Sequence, residues 1–155
     1  MGDPFGTESW DGIGSREAFQ ETQRILATLP GGSELLDWFG GVSSFHDAEV
    51  VRLDLDREGT CRLQLMIVGR LKKALVTFVL TDWIDASIAG FSKQNVIGEL
   101  LLHEPGDRAV EPWERGVGLL SGDHEITLMP IYGANGTIRA TISKIELVEL
   151  QQREP

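Results

Sequence analysis

The chain carries a single cysteine, Cys61, in 155 residues. One thiol excludes an intrachain disulfide and a cysteine-rich zinc site. Long apolar runs are also missing. Nothing approaches the roughly 20 consecutive apolar residues of a membrane span, and no basic-then-apolar leader opens the sequence. Cations are scarce: Lys and Arg number 14 against 24 Asp and Glu, a formal net charge of -10. General nucleic-acid binding depends on phosphate neutralisation, which such a surface opposes. A phosphate-cradling glycine loop is absent too, since Gly116-Val117-Gly118 lacks a third glycine and no helical pattern follows it. These absences predict a soluble cytoplasmic protein with no nucleic-acid or membrane contacts. They leave open a basic protein partner.

What is present is an ordinary globular composition, 41% apolar and 25% charged, enough for one packed domain. Residues 1–14 hold Gly2, Pro4, Gly6, Gly12 and Gly14 with little periodicity and read as a flexible arm, Trp10 excepted. The domain is expected over residues 15–150, with a tail at 151–155. Ser15 is placed to cap a helix from Arg16 to Leu29, along which Phe19, Ile25, Leu26 and Leu29 form an apolar stripe. Pro30-Gly31-Gly32 stops it. Ser33 then opens a short helix through Phe39, and Gly40-Gly41 ends it, because glycine suits the left-handed C-terminal position.

Beyond Val42 the period changes to two. Val51, Leu53 and Leu55 alternate with Arg52, Asp54 and Asp56, and Cys61 to Val68 returns after the turn Arg57-Glu58-Gly59. Leu75 to Leu80 is apolar on both faces and reads as a central strand. Asp82 to Gly90 is ambiguous. Val96 to Leu102 and His124 to Met129 read as strands, and Gly133-Ala134-Asn135-Gly136 as a tight turn. Thr137 to Leu150 is the last strand; its inward phase shifts from Ile138, Ala140 and Ile142 to Ile145 and Leu147, which predicts a bulge near Ser143. Residues 103–123 form a long loop rich in Gly and Pro around Trp113. The expected fold is α+β: N-terminal helices on a twisted, mainly antiparallel sheet of about six strands, strongly twisted or partly closed. Its expected core includes Leu36, Trp38, Val51, Leu53, Leu65, Ile67, Val76, Phe78, Val96, Leu100, Ile126, Leu128, Ile138 and Ile142.

Chemistry-bearing clusters are few. His46-Asp47 with Glu49 has the ingredients of a base and its orienter, or of a metal site. Neighbours on an extended segment point to opposite faces, so a joint site requires a turn; the plainer role is capping the turn before the first strand. His103 and His124 flank the long loop without a ligand spacing. Cys61, inside an alternating strand, reads as a buried structural thiol. Asp54 and Asp56 share the polar face of one strand and offer an acidic contact for a basic partner, or simple solvation. Trp83 and Trp113, both in loops, are candidates for a contact surface, since aromatics dominate interface hot spots.

Three segments in order carry a resemblance. They are Trp38-Phe39 with Ser44-Phe45-His46-Asp47-Ala48-Glu49-Val50; Val76-Thr77-Phe78 with Phe91-Ser92-Lys93-Gln94-Asn95-Val96-Ile97; and Ile126 through Met129-Pro130-Ile131-Tyr132-Gly133-Ala134-Asn135-Gly136 into Leu147. Over residues 36–150 the chain resembles the immunity protein 50 family of bacterial toxin-immunity proteins. The resemblance implies a small strand-rich α+β domain that neutralises a cognate toxin. It carries no catalytic residues, cofactor or metal; the matching positions are His46, Asp47, Glu49, Gln94, Asn95, Tyr132, Gly133 and Gly136. The arm and the 103–123 loop depart from the family pattern. Negative charge suits a basic nuclease as the toxin. Gln94 and Asn95 are expected to satisfy backbone groups, and Tyr132 to anchor the last hairpin with its ring buried. The leading expectation is therefore a non-enzymatic protein-binding domain, a monomer or homodimer. The alternatives are a small hydrolase or metal-dependent enzyme centred on His46, Asp47 and Glu49, and a structural subunit pairing through a sheet edge.

Overall fold

A computed structural model of the protein describes residues 15–104 and 122–150. Helix α1 spans Ser15–Thr28 and α2 Gly32–Phe39. Among the described residues six strands follow: β1 Glu49–Asp54, β2 Cys61–Gly69, β3 Lys72–Ala89, β4 Val96–His103, β5 His124–Tyr132 and β6 Asn135–Leu150. They close into a barrel in the order β1-β2-β3-β6-β5-β4, and every pairing is antiparallel. The α+β expectation stands, and closure makes it more specific: a sheet with two helices becomes a barrel in which β1 and β4 meet.

The helices form where the apolar stripe demands. Ile25, Leu26, Leu29, Leu35 and Trp38 are buried against the barrel. α2 starts one residue earlier than Ser33 and uses no side-chain cap; Gly31 at φ 85 makes the turn instead. A side chain at Gly31 would collide with the carbonyl oxygen of Ile145, and the Ile145 N–H donates to Pro30 O at 2.8 Å. The helix–helix turn is thus docked on β6. At the other end of α2, the Gly40 and Gly41 N–H groups donate to Asp37 O and Leu36 O, the left-handed stop read from the sequence. Trp38 Nε1 donates to Glu149 at 2.7 Å, and the Lys72 ammonium reaches both the Trp38 carbonyl and its ring face.

Bulges set the barrel's curvature. The β3–β6 ladder skips Ser143: Val79 faces Lys144 and Leu80 faces Ile142. The bulge sits where the phase shift in the sequence places it, and Ser143 Oγ donates to Val79 O at 3.1 Å. The ambiguous stretch 82–90 is the continuation of β3 past a larger break, in which residues 82–84 loop out between Thr81↔Thr141 and Asp85↔Arg139. Beyond the break, Arg139 Nε donates to Asp85 at 2.9 Å and re-registers the two strands.

The first strand corrects the sequence reading. Its register slips between Val50 and Arg52, leaving Val51 as the extra residue. Val50 is therefore buried, while Val51 is 44% exposed and Leu55, past the strand end, is exposed too. Strict alternation from Val51 failed because one bulge inverts the phase of everything before it. The same applies to β4. Ile97 is fully buried and Val96 only half-buried. Cys61 is buried as expected; its Sγ accepts the Asp56 N–H at 3.2 Å.

Candidate functional site

The barrel closes weakly between β1 and β4. The strands meet at one pair, Glu49↔Val96, with backbone bonds from Asp47 N to Ile97 O, Val50 N to Asn95 O and Ile97 N to Ala48 O. Further along, side chains take over the role of a neighbouring strand. The Leu102 N–H donates to Thr22 Oγ1 of α1 at 2.9 Å, and the Leu100 N–H to Glu99 Oε1 at 3.2 Å. The same Glu99 oxygen accepts the Phe45 N–H at 3.4 Å. α1 lies along β4 and is tied there by Glu21–His103 at 3.0 Å and Arg24–Glu104 at 3.1 Å.

Three sequence segments converge on this junction. In 44–50, Asp47 adopts φ 67 and Ala48 N donates to Phe45 O. This is the turn that a joint site requires: His46 Nδ1 lies 3.2 Å from Asp47 Oδ2, with both side chains exposed. Glu49 lies one step along β1, opposite Val96. In 91–97, Asn95 is buried and does what its position suggests. Its Oδ1 accepts the Ser92 and Ala134 N–H groups at 2.8 and 3.0 Å, and its Nδ2 donates to Ser92 O at 2.8 Å. Gln94 is exposed, with its backbone clasped by Ser92 Oγ. In 126–136, Gly133 at φ 88 lets the hairpin pass the 91–95 loop; a Cβ there would stand 2.5 Å from Gln94 O. Tyr132 corrects the expectation of a buried ring. It is 61% exposed, because β5 runs past β6 after Leu128 and its end pairs with β4 alone.

That overhang builds a cavity of about 520 Å³ lined by Phe19, His46, Gly98, Glu99, Leu101, Met129, Pro130 and Ile131. Two of these residues are bulges. Ile131 is skipped between Val96↔Tyr132 and Ile97↔Pro130, and Gly98 between Ile97↔Pro130 and Glu99↔Met129. Pro130 has no N–H to give, so a strand end carrying it tolerates a broken ladder. Gly98 presents no side chain to the cavity; a Cβ there would lie 3.4 Å from Ile131 Cγ1. Ile131 in the lining and its neighbour Tyr132 are exposed large apolar side chains.

Among the described residues, Glu99 is the one carboxylate in this apolar wall. Burial pushes its carboxyl above the ordinary 4.5, against the pull of the Leu100 and Phe45 N–H groups and, last, of His46. Sequence reasoning passed over Glu99. Its signal was a lone acid inside Val96-Ile97-Gly98-Glu99-Leu100-Leu101-Leu102. Phe19 was read as part of a helix stripe, Pro130 and Ile131 only as part of a resemblance segment, and only the overhang makes them a lining.

Other expected positions lie elsewhere. Asp54 ends β1 and pairs with Arg52 at 2.8 Å. Asp56 falls beyond the strand, where Oδ1 accepts the Glu58 N–H at 3.0 Å, so the two acids do not share a strand face. Trp83 sits in the β3 break with its side chain outside the described residues, and Trp113 lies outside them altogether. His103 and His124 take separate partners. His103 bonds Glu21, while the buried His124 accepts the Ile142 N–H at 3.3 Å, and burial lowers its pKa below 6.5. Among the described residues, no group of three or more His, Cys, Asp and Glu side chains converges as a metal site, and no helix is long and apolar enough to cross a membrane. Comparison with family models, with curated proteins and with solved structures found no match to this chain.

Proposed function

We propose that this chain is a non-enzymatic binding domain, an immunity-type protein of the bacterial cytoplasm that masks a toxin through the face formed by β1, β4 and β5. One observation carries the reading. Residues 44–50, 91–97 and 126–136, parts of the three segments that resemble the immunity protein 50 family and far apart in sequence, meet around the β1–β4 junction, where His46, Met129, Pro130 and Ile131 line an apolar cavity and Ile131 and Tyr132 are exposed. Apolar and aromatic groups surrounded by polar ones are the anatomy of a protein-binding patch. The overall charge of -10 favours a basic partner and speeds its encounter.

The test is co-purification of the tagged chain from its native cells, with wild type beside a Tyr132→Ala/Ile131→Ser double variant. A stoichiometric partner with a toxin domain, lost from the variant, is the expected result. Co-purification that the variant leaves unchanged moves the interface elsewhere. A second reading rests on the imidazole of His46 and the desolvated Glu99 lining one cavity, a pairing found at acid–base sites. Turnover of an ester or phosphodiester substrate that disappears in both His46→Ala and Glu99→Gln would favour it over the binding reading.

A further inference from the structure

We infer that the cavity beside β4 is a recognition pocket for an aliphatic-stemmed cation, an arginine or lysine side chain of a basic peptide segment, with Glu99 as its counter-charge. The inference rests on the binding reading above and adds the chemistry of what is bound.

Glu99 makes the argument. Its structural task is to cap two backbone donors, Phe45 N–H and Leu100 N–H, through the single oxygen Oε1. A glutamine carbonyl would do the same without placing a charge in an apolar wall. Taking a carboxylate out of water is costly unless a cation compensates, so capping alone does not account for the acid. Among the described lining residues the one basic group is His46, which holds its Nδ1 3.2 Å from Asp47. The remaining described lining is Phe19, Gly98, Leu101, Met129, Pro130 and Ile131. Apolar walls with one carboxylate match a methylene stem tipped by a charge, the arrangement by which Lys and Arg bury their stems. The volume of about 520 Å³ lies within the usual range of ligand pockets and exceeds one side chain, leaving room for a neighbouring apolar residue. Net charge points to the same occupant: a protein at -10 attracts basic segments before any contact is made.

The test uses the full chain and pentylguanidinium as the probe, followed by amide chemical shifts of Gly98 and Leu101, with pentanol as the uncharged comparison. Pentylguanidinium is expected to move both amides. Glu99→Gln is expected to weaken it by about tenfold or more, the worth of a charge-assisted hydrogen bond, while leaving pentanol unaffected. Gly98→Leu adds a side chain to the lining against Ile131 and is expected to abolish both. Thermal melts of each variant verify folding. The assignment is overturned if pentanol binds as well as the cation, if Glu99→Gln leaves the cation's affinity unchanged, or if neither probe moves those amides. Failure here is separable from failure of the immunity reading. A toxin partner lost with Gly98→Leu but kept with Glu99→Gln retains the interface and removes the cation. Probe binding as expected, with no toxin co-purifying, retains the pocket and removes the immunity role.

Discussion

The barrel has two very different joints. β3 and β6 run together from Lys73↔Leu150 to Ala89↔Asn135, and their irregularities are locally repaired: Ser143 Oγ on Val79 O, Arg139 on Asp85. β1 and β4 meet at a single pair, and the open part of β4 is served by Thr22 and Glu99 instead of a strand. The first joint satisfies its backbone with backbone. The second adds side chains to three backbone bonds, and side chains can carry charge and shape that a ladder cannot. The cavity and the three convergent segments sit at the second joint. Both kinds of joint obey the rule that buried backbone donors find partners; only one leaves chemistry over.

That contrast can be broken. Asn95→Ala should have the largest effect. It removes the carboxamide that holds Ser92 and Ala134 and leaves the buried Ala134 N–H unpaired, for a loss of about 3 kcal/mol in urea unfolding. Thr22→Val keeps the shape but orphans the Leu102 N–H, and should cost about 2 kcal/mol. Ser143→Ala, on the long ladder, should cost about 1 kcal/mol or less, because strand pairing on either side holds the bulge. A larger loss from Ser143→Ala than from Asn95→Ala would mean that the two joints do not differ in the way described.

Acid sharpens the comparison. His124 is buried and neutral in the fold, with its pKa lowered by burial. Its contribution is present above the ordinary 6.5 and is lost as pH falls below that value, where the unfolded chain takes up the proton first. Unfolding followed across this range should show stability declining toward acid, and His124→Gln should flatten the decline. The smallest effect has the opposite sign. Glu99 has a raised pKa, so its fold is favoured below 4.5 and penalised as pH rises through the raised value. Glu99→Gln should therefore stabilise the protein at neutral pH by less than about 1 kcal/mol, with the gain vanishing in acid. A stability gain coupled to lost cation binding would mark Glu99 as a residue held for function.

Much of this was legible beforehand for an identifiable reason. Helix stops depend on local chemistry, and Gly40-Gly41 behaved as local chemistry dictates. The Ser143 bulge left a phase shift between Ile142 and Ile145 that alternation can register. Asn95 announced a backbone-satisfying role by type and position, and the structure gives it three such bonds. Val51 and Tyr132 were misread for one shared cause. Whether a strand residue faces inward or outward depends on bulges and on where its neighbour strand ends, and both are properties of pairing between distant segments.

The sequence by itself determined the two helices, most of the strands, the buried thiol and the acidic balance, because periodicity, capping and composition act within a few residues or over the chain as a whole. Only the tertiary structure decided that the sheet closes, that β5 overhangs β6, and that Glu99 stands in an apolar wall beside His46. A cavity is made by what neighbouring strands fail to cover, and that is fixed by the register between segments far apart in the chain.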